Sequence, residues 1–105
     1  MKTKTDNDTM AGHVVLVRDN RAGIHVGTLD SFDPATKTAR MSKVRKVWSW
    51  RGAASCHGIA AKGLMHDGSR VCPEVELVIS TDVVEIVLCS QEGAKSVMSA
   101  PAWSP

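Results

Sequence analysis

The chain has 105 residues, which suffices for one domain of ordinary size and leaves no room for a second. With 43% hydrophobic and 23% charged residues, its composition excludes a disordered tail, a collagen and a membrane span, and it favours a soluble globular domain. A net charge of +2 is too small by itself to indicate a nucleic-acid partner.

The sequence divides into three parts. Residues 1–11 are polar and lack apolar periodicity, so they are predicted to form a flexible lead-in without a signal peptide. A single domain is expected over residues 12–98, followed by a tail over residues 99–105. The cysteines show no C-x-x-C spacing, which argues against a disulfide framework and fits a reducing cytoplasm.

Short β-branched runs dominate the first third of the chain. His13–Arg18 predicts a strand that is buried on both faces or nearly so. Turn residues at Asp19–Gly23 then predict a hairpin into a second strand, Ile24–Leu29, in which Gly27 indicates a bulge or a close backbone approach. A second turn is expected over Asp30–Thr36.

The segment Lys37–Trp50 reads as a long strand whose two faces are both mixed in polarity. This mixture favours a partly exposed strand or one that is paired across a subunit boundary. Simple alternation places two indoles and a lysine on one face with Val44: Lys46, Trp48 and Trp50.

Small apolar residues at helical spacing predict a helix over Ala53–Leu64, with Ser55 at its cap or in its first turn. His66–Ser69 is expected to be a loop. Arg70–Ser80 follows as a strand that Pro73 interrupts, which places it at a sheet edge or delays its start.

Val83–Cys89 is the clearest central strand, and Ser90 is a plausible N-cap for a short helix that reaches about Met98. The resulting order predicts an α+β domain with a mainly antiparallel sheet of about five strands. We expect one helix packed across this sheet, a short C-terminal helix, and a sheet that could close like a barrel.

Charge is distributed unevenly along the chain. Residues 34–66 contain seven Lys or Arg and no acid, whereas residues 67–92 contain six acids against one base, Arg70. This polarity could bring a basic segment of one subunit against an acidic segment of another.

Catalytic and metal-binding signatures are missing from the sequence. The potential ligands have no C-x₂-C or H-x₃-H spacing, and Cys56 and His57 are adjacent, so they diverge on a helix. No phosphate-loop, dinucleotide or nucleophile-elbow motif occurs. We therefore expect no catalytic residue, no metal and no cofactor, and a protein that is not an enzyme.

The block from Arg45 to Ser55 combines cations, indoles and small residues that lead into a helix start. Arginine and lysine bind phosphates, indoles stack on bases, and free N–H groups at a helix start favour anions. The predicted ligand-binding residues are Arg45, Lys46 and Arg51 for phosphate, Trp48 or Trp50 for stacking, and Ser55 at the helix start. The alternative is that the indoles belong to a core or subunit interface and that the bases form a solvated face.

At this block the sequence resembles an uncharacterised family of small proteins encoded by tailed bacteriophages and prophages. Its most specific feature is W-x-W-x-G-A-A-S, from Trp48 to Ser55. The other segments that carry the resemblance are Val14–Arg18, Ala22–Leu29 and Val84–Val87. The resemblance covers about residues 13–103 and implies a phage origin and a host-cytoplasm setting, but no catalytic residues.

These observations together predict a homo-oligomeric, non-catalytic binding protein that sequesters a small phosphorylated immune signal of nucleotide type. It would act as an anti-defence sponge. One alternative is nucleic-acid binding by the same surface, which the acids of residues 67–92 disfavour. Another is inhibition of a host defence protein, with the tryptophans as interface anchors. No membrane partner is expected.

Overall fold

The computed structural model describes residues 10–103 and shows a six-stranded, mostly antiparallel sheet with two short helices. The predicted α+β class is confirmed. Most of the predicted lead-in and the last two residues of the tail lie outside the described residues. In chain order the elements are β1 Val14–Asp19, β2 Gly23–Asp33, β3 Thr38–Arg51, α1 Cys56–Lys62, β4 Met65–Val71, β5 Val75–Ser80, β6 Val83–Leu88 and α2 Gln91–Met98.

The strands are arranged in the order β4-β3-β2-β1-β6, and β5 pairs with β3 outside this path. Because β3 has 14 residues, its first half pairs with β5 and its second half with β4. The predicted barrel-like closure is wrong, since the sheet stays open. A short turn joins β5 to β6, but within residues 10–103 no ladder pairs them: β5 pairs with β3, and β6 with β1.

The strand β4 is the element that the sequence did not predict. His66–Ser69, expected to be a loop, lies inside the strand Met65–Val71, which pairs with β3 through Met65, Arg70 and Val71. Most of this strand is exposed, so its sequence carries no alternation of apolar and polar residues. The predicted interruption at Pro73 is confirmed, because pairing stops after Val71 and resumes at Val75.

The hairpin β1–β2 and the bulge at Gly27 are both confirmed. The register of β2 against β3 shifts between Val26 and Thr28, where Lys43 adopts a φ of 51°. A Cβ at Gly27 would lie 2.9 Å from the Cγ2 of Val44 and 3.0 Å from a β3 carbonyl oxygen. Glycine therefore allows the backbone of β3 to approach β2 closely at this point.

Two hydrophobic clusters occupy opposite faces of the sheet. The first packs the helices against the strands and includes Leu16 of β1, Val26 of β2, Ile59 of α1 and Val97 of α2. The second is built from strand residues: Val15, Val17, Leu29, Ala39, Met41, Val44 and Val83. Since neighbouring residues of β1 enter different clusters, the prediction of a strand buried on both faces is confirmed.

Serine hydroxyls cap both helices. The Oγ of Ser55 accepts a hydrogen bond from the backbone N–H of Gly58 at 3.3 Å, and the Oγ of Ser90 accepts one from Gly93 at 2.9 Å. Helix α1 is shorter at both ends than the predicted Ala53–Leu64. The backbone N–H of Ser90 also donates to the carbonyl of Ala60, which ties the start of α2 to α1.

Candidate ligand-binding cleft

A cleft of about 400 Å³ opens where the start of α1 meets the face of the sheet. Three strands and the helix start contribute to its wall, which places residues from four separate parts of the sequence around one volume. The lining residues are Arg18 from β1, Glu85 from β6, Trp50 from β3, and Ser55, Cys56 and His57 at the start of α1.

The charged residues of the cleft meet through the β1–β6 ladder. Arg18 and Glu85 are register partners although 67 residues separate them in sequence. Alternation along the strands gives Arg18 the same face as Leu16, which packs under the helices. The sheet therefore directs both charged side chains to the face on which α1 lies.

The carboxylate of Glu85 accepts one hydrogen bond on each oxygen. Its Oε1 lies 3.1 Å from a guanidinium nitrogen of Arg18, and its Oε2 lies 2.8 Å from Nε2 of His57. Both hydrogen bonds lower the pKa of Glu85, and the one from His57 has the larger effect. The carboxylate is therefore ionised at neutral pH and holds both partner side chains in place.

The indole of Trp50 forms a fixed wall of the cleft. Its Nε1–H donates to the carbonyl of Ala53 at 3.1 Å, and the half-buried ring packs against the first hydrophobic cluster. The turn between them contains Gly52 at a φ of 86°, where a Cβ would collide with Met65. This turn carries the chain from the tryptophan back to Ser55, so the G-A-A-S part of the motif shapes the cleft.

Cys56 lies beside His57 but has the electrostatics of an unreactive thiol. Burial raises the pKa of Cys56, and the positive charge of Arg18 only partly opposes this effect, while Glu85 adds to it. A raised pKa keeps the sulfur protonated, whereas nucleophilic cysteines require the thiolate. Within residues 10–103, no group of three or more His, Cys, Asp or Glu side chains is placed to hold a metal ion.

Only two of the predicted binding residues, Trp50 and Ser55, line the cleft. Arg45 lies inside the protein with 4% of its surface exposed. Its guanidinium donates to the main-chain carbonyls of Cys72, Val71, Val97, Met98 and Ala100. It thereby caps the C-terminal end of α2, and its N–H donors form hydrogen bonds within the protein instead of pointing towards a ligand.

The other three predicted residues lie outside the cleft lining. Trp48 is 55% exposed and stacks on Trp103, whereas the half-buried Trp50 packs against the first hydrophobic cluster. The predicted shared face of the two indoles is therefore wrong. The cause is that the register of β3 against β4 shifts twice between residues 47 and 51, which breaks the alternation. Arg51 is exposed and Lys46 is half-buried.

Sequence reasoning missed the charged pair of the cleft. Glu85 is the one charged residue of the apolar strand β6, and that isolation is a signal in the sequence. Arg18 stands next to Asp19 at the end of β1 and gives no such signal. The sequence indicated Cys56 and His57 only as potential metal ligands. Their grouping with Glu85 depends on strand pairing over a long sequence separation, which a single sequence does not reveal.

Fold and site together define a small α+β domain with an open sheet and one polar, tryptophan-walled cleft at the edge of its helical layer. Residues 12–97 match the domain of unknown function DUF6948, and the chain belongs to this family. The predicted membership of an uncharacterised family is confirmed. No curated protein matches the chain. Within the described part of the chain, neither helix is long and apolar enough to cross a membrane.

Proposed function

We propose that this protein binds a small phosphorylated ligand of nucleotide type in the cleft and holds it without chemical change. The observation that carries the proposal is the cleft itself. It combines a fixed indole with an ionised carboxylate and two nitrogen-bearing side chains in a volume of about 400 Å³.

The base of the ligand would stack on Trp50 and reach Glu85 with its hydrogen-bond donors. Indole–base stacking contributes about 1–3 kcal/mol. A carboxylate has about four acceptor positions, and Glu85 uses one on each oxygen within the protein. The unused acceptor positions of the Glu85 carboxylate suit an exocyclic amino group, whereas the negative charge disfavours a bare anion. The ligand should therefore carry hydrogen-bond donors as well as phosphate.

The phosphate would bind to Arg18, because the Nε2–H of His57 is already donated to Glu85. The Arg18 side chain is 48% exposed and one guanidinium nitrogen bonds to Glu85, which leaves further N–H donors for a phosphate at the mouth of the cleft. In this arrangement Arg18 has the phosphate-binding role that the sequence predicted for Arg45, Lys46 and Arg51.

Retention without turnover is supported by the state of the polar groups. The Cys56 thiol has a raised pKa, and Glu85 is already committed to two hydrogen bonds. Neither group is prepared to act as a nucleophile or as a strong base. The proposal is therefore sequestration of a ligand rather than its conversion.

The biological setting is part of the same proposal. The resemblance to phage proteins favours a phage-encoded sponge that removes a nucleotide immune signal in the host cytoplasm. An exposed apolar stripe on one face of β5 supports a homo-oligomer, because a second copy of the chain would bury it. The stripe is formed by Val75, Leu77 and Ile79.

A thermal-shift panel with cyclic mono-, di- and trinucleotides and ADP-ribose tests the proposal. At a ligand concentration of about 100 times Kd, binding adds about 2.7 kcal/mol of stability, which raises the Tm of a domain of this size by roughly 10 °C. One panel member should give such a rise and be recovered unchanged by chromatography. A flat panel would contradict nucleotide binding, and a converted ligand would contradict sequestration.

The matched variants are Arg18→Ala and Arg21→Ala. Both remove an arginine near the β1–β2 hairpin, but Arg21 lies outside the cleft lining and its side chain is 88% exposed. We expect Arg18→Ala to abolish the ligand-induced shift and Arg21→Ala to preserve it. Equal losses in the two variants would indicate general charge attraction instead of a site.

A further inference from the structure

A second aromatic feature lies on the β3–β4 ribbon, outside the cleft lining. The ring centroids of Trp48 and Trp103 are 5.0 Å apart with an interplanar angle of 23°, which is a stacked arrangement. The guanidinium carbon of Arg70 lies 5.4 Å from the first ring centroid and 5.1 Å from the second. These three side chains form a nearly equilateral triangle, called here the tryptophan platform.

The platform is held by main-chain contacts that fix its geometry in advance. The backbone N–H of Trp103 donates to the carbonyl of Val71 at 2.8 Å, and Ala102 forms a bridge to the same residue. Arg70 is the register partner of Ser49, one residue after Trp48. Because two strands and the tail position the rings, little ordering entropy remains to be lost on binding.

Over half of the Trp48 surface nevertheless remains open. Packing of the tail against the sheet explains why Trp103 is a tryptophan, because that side chain is half-buried. It does not explain Trp48, whose side chain is 55% exposed. Trp48 is the one tryptophan among the large hydrophobic side chains that are exposed within residues 10–103. An exposed indole beside an arginine is the arrangement that stacks unpaired bases.

Arg70 of the platform and two cations of β3, Lys46 and Arg51, have no carboxylate partner in the described part of the chain. Within residues 10–103, ion pairs involve Arg18, Arg21 and His57, and none involves Lys46, Arg51 or Arg70. Lys46 and Arg51 belong to the same strand as Trp48, on either side of it in sequence. Arg70 therefore places an unpaired positive charge against an exposed ring, and Lys46 and Arg51 add positive charge along the same strand. This combination is complementary to a phosphate backbone with accessible bases.

We propose that the tryptophan platform is a binding site for single-stranded nucleic acid. A base of the strand stacks on the open side of Trp48, while Lys46, Arg51 and Arg70 attract the neighbouring phosphates. A duplex is a poor ligand because its bases already stack on one another. This site does not share residues with the cleft, so the proposal stands whether or not the cleft binds a nucleotide.

Fluorescence anisotropy with a labelled twelve-nucleotide oligo(dT) tests the proposal. We expect Trp48→Ala to weaken binding by about tenfold or more, which is the usual contribution of one stacked base. Trp48→Phe keeps an aromatic face and should retain most of the affinity. The control Val84→Ala also removes an exposed apolar side chain, on β6, and should bind as the wild type does.

Three further comparisons separate stacking from charge and from damage to the fold. Unlabelled oligo(dT) should compete better than a duplex or polyphosphate of equal charge, and Arg18→Ala in the cleft should not change the affinity. Melting curves of Trp48→Ala should show a folded domain. The proposal is overturned if oligo(dT) does not bind at low salt, if polyphosphate competes equally well, or if the phenylalanine variant loses as much affinity as the alanine variant. Loss in Val84→Ala would overturn it too.

Discussion

Arg45 and Arg18 are two arginines of one small domain, and the fold uses them in opposite ways. Arg45 is 4% exposed and donates to five main-chain carbonyls. Arg18 is half exposed, donates to one carboxylate and borders a cleft. Both residues are arginines, so residue type does not distinguish their roles. The distinction lies in how many guanidinium N–H donors the fold leaves without a partner: a structural arginine has few, and a candidate binding arginine has several.

The comparison also explains why the two regions differ in what they tolerate. Around Arg45, the guanidinium donates to carbonyl groups at the ends of α2 and β4. Two of these carbonyls, those of Val71 and Val97, also accept from a backbone N–H. Around Arg18, water can replace any partner. We expect mutations at the first site to change stability and mutations at the second to change binding.

The largest expected effect follows from removing the Arg45 guanidinium. Arg45→Met keeps much of the side-chain volume but removes the hydrogen bonds that the guanidinium donates to five main-chain carbonyls, and we expect a loss of about 3 kcal/mol in the free energy of unfolding. Urea denaturation measures it. The control is Arg40→Met on the exposed side of the same strand, which should change stability by less than about 0.5 kcal/mol. Equal effects would remove the distinction between the two arginines.

Variants in the cleft should show the reverse pattern. Arg18→Ala and Glu85→Gln each break an exposed ion pair, and exposed pairs contribute little to stability. Ligand affinity should fall by about tenfold or more in each, because a charge-assisted hydrogen bond to the ligand is lost. Calorimetric titration beside a melting curve separates the two quantities. If either variant unfolds the domain, the cleft is structural.

The pH dependence of stability reports on two other polar groups, Asp19 and His25, of which the fold favours the charged form of one and the neutral form of the other. Burial would raise the pKa of Asp19, but hydrogen bonds from the Ser80 hydroxyl and the backbone N–H groups of Ala22, Arg21 and Asp82 outweigh it and lower the pKa. The folded state therefore favours the carboxylate, and its stabilising contribution is lost as the pH falls below about 4, the ordinary value for aspartate. Asp19→Asn should flatten this acid limb of a urea-midpoint profile.

A second limb should appear at higher pH. Burial, aided by the charge of Lys46, lowers the pKa of His25, and the Nδ1 atom of this ring has no hydrogen-bond partner within the described residues. Because the folded state holds the ring neutral, protons bind the unfolded chain more tightly, and stability decreases as the pH falls through about 6.5. His25→Phe should abolish this limb and leave the acid limb. A profile that is flat above pH 5 in the wild type would contradict the assignment.

The smallest expected effect concerns the bulge at which the register of β2 against β3 shifts. Lys43 adopts a φ of 51°, which strains any residue with a side chain. Lys43→Gly should therefore raise the free energy of unfolding by about 0.5–1 kcal/mol, after the entropy cost of glycine. Lys46→Gly, on the same strand but without a positive φ, should lower it.

Local features of this fold were predictable from sequence, and long-range ones were not. The β1–β2 hairpin, the bulge at Gly27 and the cap at Ser90 follow from backbone preferences that act over a few residues. The strand β4 and the open sheet depend on which half of β3 each later strand pairs with. No local preference determines that choice.

The candidate site shows the same limit. The motif around Trp50 and Ser55 was predictable as a candidate ligand surface, because indoles and small residues before a helix are a local pattern. Its charged partners come from β1 and β6, at opposite ends of the chain. Arg45 was misassigned, because nothing in a strand sequence reveals that five carbonyls converge on one guanidinium.

The central claim is that a nucleotide binds against Trp50 in the cleft, and the three tryptophans of the chain allow it to be tested directly. Each indole N–H gives its own proton–nitrogen NMR signal, which substitution of each tryptophan by phenylalanine assigns. Titration with the nucleotide that gives the largest thermal shift should move the signal of Trp50 and leave those of Trp48 and Trp103 in place. Movement of the Trp48 and Trp103 signals with an unchanged Trp50 signal would contradict the claim and place the ligand on the tryptophan platform.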